Sequence, residues 1–150
     1  MPFLVRTAIA IMIACASVHP VIVSAAGEAA AQAAEAPRVV YHVDDVASMR
    51  DALNNIKSQI AVTPNARIIL LVNGRGIFAL VKGEGDRQGE YGSTVAELAA
   101  KGVRFDACGT AMRKNNVVES MLVPNVTVVP SGVVELTRLQ TVEHFAYIKP

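Results

Sequence analysis

The stretch ARIILLV, Ala66 to Val72, decides the fold. Past Arg67 every side chain is aliphatic, without the polar alternation of a strand that faces water on one side. Such a strand needs cover on both faces, and parallel sheets supply that cover through their crossover helices. Pro64-Asn65 immediately before the run ends whatever precedes it, and Asn73-Gly74-Arg75-Gly76 immediately after is a glycine turn. The run therefore has the length of a strand, too short for a buried helix.

On the amino-terminal side, RVVYH (Arg38 to His42) is β-branched and aromatic and predicts a first strand. Asp44 or Asp45 offers a side-chain oxygen to the free N–H groups of a helix start. The helix that follows carries Val46, Met49, Leu53, Ile56 and Ile60 at spacings of three and four, a single buried stripe. On the carboxyl-terminal side, a short apolar segment, Ile77 to Val81, gives way to the glycine-rich, charged KGEGDRQGEYG (Lys82 to Gly92), read as an exposed loop. Thr94 with Glu97 has the spacing of a capping box for a helix ending near Lys101-Gly102. Val103 to Ala107 predicts the third strand and delivers Cys108 at its carboxyl end. Short helical turns are expected around Ala111 to Lys114 and Val117 to Leu122. Val126 to Val129 is the fourth strand, Pro130-Ser131-Gly132 opens a helix with Val133, Val134, Leu136 and Leu139, and Phe145 to Lys149 closes the chain as a fifth. Five strands joined by helices predict an α/β domain with a mainly parallel sheet and right-handed crossovers.

The chain has 150 residues, enough for one core, with 14 basic and 13 acidic side chains. No basic stripe of the kind phosphate backbones require is present, so nucleic acid is not an expected partner. Residues 1–26 read as a signal peptide: Arg6 is the positive n-region, Thr7 to Ala16 the apolar h-region, and Val23-Ser24-Ala25-Ala26 the small residues of a cleavage site. Residues 27–37 are an Ala-rich tether, and 38–150 the folded domain. Export to the periplasm or outside the cell follows, with no membrane span left after cleavage. The competing readings are an uncleaved anchor over Thr7 to Ala26 and a lipidated Cys15.

In parallel α/β sheets ligands gather beyond the carboxyl ends of the strands. The residues there are His42 with Asp44 and Asp45, Asn73 to Gly76 including Arg75, Cys108 to Thr110, and Pro130 to Gly132 including Ser131. Cys108 is the only cysteine left once the signal is removed. A helix start at Gly109-Thr110 and the cations Arg113 and Lys114 favour a reactive sulfur there, whereas Asp106, on the same side of the strand, opposes it. A small apolar filler is the alternative reading of the same residue. His42 is a candidate to assist the sulfur if the tips of the first and third strands meet. A glycine turn without a third glycine is no dinucleotide motif, and no cluster of His, Cys and carboxylates offers a metal site, so no cofactor is expected. Neither a hydrolase nor a dehydrogenase is indicated.

Read in order, RVVYHVDD (Arg38 to Asp45), Asn55-Ile56, ARIILLVNGRGI (Ala66 to Ile77), GVRFDACGTAM (Gly102 to Met112), VPSGVVELTRLQ (Val129 to Gln140) and AYIKP (Ala146 to Pro150) resemble the DsrE/DsrF-like family, in its exported single-domain branch. The resemblance implies a three-layer α/β/α domain with a five-stranded parallel sheet and a tendency to form homo-oligomers. In the family's sulfur-relay members a cysteine after the third strand carries sulfur as a persulfide between a donor and an acceptor protein, and Cys108 matches that position. The alternative function is an oligomeric binding or assembly module in which Cys108 only packs.

One further expectation comes from the third strand itself. Alternation sends Val103, Phe105 and Ala107 to one face and Arg104, Asp106 and Cys108 to the other. Helices covering both faces fully would not leave room for so regular a charged row, so the second face should be only partly covered.

Overall fold

The computed structural model describes residues 36–150. The expected signal peptide at 1–26 and most of the tether at 27–37 lie outside the described residues.

Five strands form one parallel sheet: β1 (Arg38–Val43), β2 (Arg67–Val72), β3 (Arg104–Cys108), β4 (Val126–Val129) and β5 (Ala146–Ile148). Their spatial order is β4-β3-β2-β1-β5. The apolar run Ala66 to Val72 thus supplies the central strand, paired with β1 and β3. The helices are α1 (Met49–Val62), α2 (Tyr91–Ala100), α3 (Gly109–Lys114) and α4 (Gly132–Thr141). From β1 to β4 the chain steps in one direction across the sheet, and right-handed crossovers then put α1, α2 and α3 on one face. The last connection returns across all five strands, which sends α4 to the opposite face.

The core divides the same way. On the first face Val39, Tyr41, Val43, Leu70, Val72 and Phe105 meet Met49, Leu53 and Ile56 of α1 and Val95 and Leu98 of α2. On the second, Val40, Ile69 and Leu71 meet Leu136 and Leu139 of α4 together with Phe145. One short helix spans five strands there, so Thr127 of β4 and Tyr147 of β5 stay exposed. This is the partial cover that the Arg104-Asp106-Cys108 row calls for.

Asp106 sits under α4 with its side chain wholly buried. Its Oδ2 accepts from Nε and Nη2 of Arg104 at 3.1 and 2.8 Å, and its Oδ1 has no partner. Burial pushes its carboxyl above the usual range, and the Arg104 bonds only partly oppose that. Arg104 also donates to Glu135 at 2.8 Å, Glu135 pairs with Arg138, and Arg138 pairs with Glu143. A line of alternating charges thus crosses the thinly covered face.

One local expectation is corrected. Thr94 does not cap α2; it lies buried inside it, and the helix begins at Tyr91 after Glu90. The chain reaches that start through a small hairpin, Gly85–Asp86 against Gly89–Glu90, inside what read as an open loop. Arg50 clamps the hairpin through both Asp86 oxygens and the Gly89 carbonyl, and its guanidinium lies 5.0 Å from the Tyr91 ring centre. Glu97, the supposed partner of Thr94, instead pairs with Lys101 and Lys57. On α4, Val133 and Val134 face outward at 66% and 68% exposure.

Of the two acidic candidates, Asp45 caps the short 3-10 turn Val46–Ser48 that leads into α1, accepting from Ala47 N–H at 2.9 Å, and α1 itself follows Ser48, whose side chain makes no cap bond. Asp44 pairs with Lys149, which holds its carboxyl below the ordinary range.

Candidate functional site

Cys108 is the last residue of β3 and the residue from which α3 starts. The chain turns directly from strand to helix there, so the free N–H groups of the first turn point back at its side chain. Sγ accepts from Ala111 N–H at 3.4 Å. A second helix start approaches from the other face of the sheet: Gly132 N–H, the first residue of α4, donates to the same sulfur at 3.1 Å. Any side chain would be crowded at that point. A Cβ on Gly132 would stand 3.1 Å from Cys108 Cβ, 3.1 Å from Leu71 Cδ2 and 3.2 Å from Asn73 Cβ.

The sulfur lies at the floor of a pocket of about 180 Å³ lined by Asn73, Gly74, Thr110, Lys114, Asn115 and Ser131, with Val133 at the rim. Cys108 itself is only 5% exposed. Polar groups on the wall are committed unevenly. Thr110 Oγ1 donates to the Pro130 carbonyl and accepts from Arg113. Asn115 spends its amide on the carbonyls of Ala111 and Gly74. Lys114 has no ion-pair partner among the described residues and supplies the pocket's only formal charge beside the sulfur. The glycine turn after β2 is fixed to the tip of β1, with Gly76 N–H donating to Asp44 O at 2.9 Å; a Cβ on Gly76 would come within 2.9 Å of Val43 O.

The structure thus brings Cys108, Asn73, Thr110 and Ser131 into one pocket. His42 is elsewhere, because β2 separates β1 from β3. It reaches the pocket only through Asn73, whose Oδ1 lies 3.0 Å from its Nε2. Arg75 points away, its guanidinium 5.9 Å from the Phe78 ring centre. The sequence also left out the amide of Asn115 and the N–H of Gly132. A Gly immediately after Pro130-Ser131, at a strand tip, is the signal from which the second was accessible. Among the described residues no group of His, Cys and carboxylates is arranged for a metal ion, and no helix is long and apolar enough to cross a membrane.

A parallel α/β domain that holds one unpaired cysteine at a strand tip, between two helix starts, defines a class of small cysteine-bearing α/β domains. The chain belongs to the DsrE/DsrF-like family, whose model matches residues 21–150. Among solved structures it is similar to a protein of unknown function, MTH1491 of Methanobacterium thermoautotrophicum, at 34% identity and a TM-score of 0.66, over 76% of this chain and 99% of that one. The YchN protein of E. coli shares the fold at 16% identity and a TM-score of 0.63, again over 76% and 99% of the two chains. No curated protein matches the chain.

Proposed function

We propose that this protein is a sulfur carrier that holds a sulfane sulfur on Cys108 as a persulfide. The observation that carries the reading is the pair of N–H donors, from Gly132 and Ala111, aimed at one sulfur on a pocket floor. A cysteine that merely fills the core has no need of two helix starts. In loading, the Cys108 thiolate attacks the terminal sulfur of a donor persulfide, the donor's S–S bond breaks, and the donor thiolate leaves with the electron pair. An acceptor thiolate takes the outer sulfur by the same exchange in reverse. No net oxidation occurs in either direction. With no second cysteine among the described residues, no internal disulfide competes for the cargo.

Two expectations accompany this reading. Export through residues 1–26 would place the carrier in the periplasm or outside the cell, where donor and acceptor proteins would have to meet it. Self-association is supported by the thinly covered face, where Val133, Val134, Val142 and Tyr147 are exposed together on or beside α4. Light scattering on the purified protein measures the latter. The test of the carrier itself is intact mass after incubation with inorganic polysulfide. A gain of one sulfur atom in the wild type and none in Cys108→Ser is expected; no gain in either would remove the proposal.

A further inference from the structure

Beyond the pocket, three side chains on three strands or their tips form a hydrogen-bonded row that ends at the pocket wall. Tyr147 of β5 lies 2.7 Å through its hydroxyl from His42 Nδ1, and His42 Nε2 lies 3.0 Å from Asn73 Oδ1. The tautomer is assigned from the orientation the Asn73 amide takes here, with Oδ1 toward the ring. An amide oxygen only accepts, so Nε2 carries the ring proton and donates to Asn73; in the neutral ring Nδ1 then accepts from the Tyr147 hydroxyl. Asn73 Oδ1 is thereby occupied, and its Nδ2 group has no partner among the described residues. Asn73 is among the residues that line the Cys108 pocket, and Nδ2 is the donor it can offer an incoming molecule.

Two of the other wall groups cannot duplicate it, while Lys114 and Ser131 stand beside it as further donors. The Thr110 hydroxyl and the Asn115 amide are already committed to protein partners. Backbone packing fixes Asn73 as well, because its Cβ stands against Gly132 beside Cys108, leaving the amide's rotation as the free variable. A flipped amide would present its oxygen to the pocket and repel a negatively charged sulfur species.

We infer that His42 and Tyr147 are positioning residues, which lock the Asn73 amide with its N–H₂ toward the pocket so that it receives an acceptor-bearing, anionic sulfur donor at Cys108. This rests on the carrier reading for its purpose, while the row itself is independent of it. The chemistry of Cys108 is untouched by His42 directly, which accounts for a histidine two strands from the sulfur.

The experiment follows two rates at Cys108 in the full domain: sulfur uptake from inorganic polysulfide, and alkylation by iodoacetamide, whose carbonyl oxygen accepts from the same amide. Asn73→Ala and His42→Ala are each expected to slow both rates about fivefold, the net worth of one hydrogen bond. The double variant should be no slower than either single one, since both remove the same contact. His42→Gln, which keeps an N–H donor near the Nε2 position, should restore most of the rate, and Tyr147→Phe, which removes only a hydroxyl, should fall between. Wild-type rates in His42→Ala, or losses that multiply in the double variant, would overturn the inference. If wild-type protein takes up no sulfur, the carrier reading fails, and the iodoacetamide series still decides the role of the row.

Discussion

Gly132→Ala perturbs the sulfur's surroundings by a single methyl group. The added carbon would meet Cys108 Cβ and Leu71 Cδ2 at 3.1 Å and Asn73 Cβ at 3.2 Å, closer than ordinary contact by a few tenths of an ångström on three sides at once. Two of the three neighbours are held at their Cβ atoms, next to the backbone, so α4 must lift rather than a side chain swing. Overpacking of this kind costs about 1–3 kcal/mol. Replacing glycine by alanine at a helical position returns about 0.4–1 kcal/mol through the unfolded chain. A net loss of roughly 1–2 kcal/mol is expected, read as a lower urea midpoint at unchanged slope. Lifting α4 also lengthens the 3.1 Å bond from Gly132 N–H to the sulfur, so polysulfide uptake should slow by about fivefold. Gly92→Ala is the control: there the added carbon meets chiefly the end of the Val123 side chain, at 2.9 Å, far from the pocket. It should cost some stability and leave uptake alone. If Gly132→Ala takes up sulfur at the wild-type rate while Cys108 remains in place, the N–H contact does not matter to the sulfur.

Further outcomes are expected elsewhere. Arg104→Met leaves the buried Asp106 carboxylate without its donors; the loss should be about 2–3 kcal/mol near neutral pH, below the usual figure for a wholly buried pair because the Arg104 side chain is 42% exposed. Asp106 has a carboxyl raised in the folded state, so its contribution to stability is complete below its unfolded pKa and disappears as pH rises through the folded one. Urea midpoints of Arg104→Met and wild type should therefore converge on acidification, and a gap that widens instead would contradict the burial argument. Glu135 and Glu143 run the other way: Arg138 holds both below the usual range, so their contribution is present above the unfolded pKa and is lost as pH falls through the folded one. Arg138→Met should flatten the acid side of the stability profile, measured by thermal melts across mildly acidic pH. Arg50→Ala should free the Gly85–Asp86 hairpin, seen as faster amide exchange at Gly89 and Tyr91 with little change at the sheet.

Much of this architecture was legible because the sheet is built from residues that have few alternatives. Ala66 to Val72 needs two covered faces, and only a parallel sheet interior provides them. Arg104 and Asp106 on alternate positions of β3 foretold a second face only partly covered by helices. Cys108 was accessible as a site because it ends a strand. What stayed hidden depends on direction and on partners distant in sequence. Which N–H groups aim at the sulfur is a property of how α3 and α4 begin in space, and no side chain announces it. Thr94 and Glu97 have the right spacing for a cap, yet Arg50, some forty residues away, fixes the hairpin that starts α2 earlier. Arg75 looked like a site cation beside the glycine turn, but stacking on Phe78 takes it out of the pocket. His42 was singled out by its strand tip, and strand order then put β2 between it and Cys108.

A carrier must release what it loads. The most direct measurement loads Cys108 with isotopically labelled sulfur from polysulfide, removes the donor, adds one equivalent of glutathione, and traps the products at early times with an alkylating agent. Because Cys108 is 5% exposed at its pocket floor, its own sulfur is screened and the outer sulfur is the accessible one. Cys108 is expected to return to the free thiol, with the label in glutathione persulfide. Label retained on Cys108, or a mixed disulfide of Cys108 with glutathione and labelled sulfide in solution, would contradict the carrier reading.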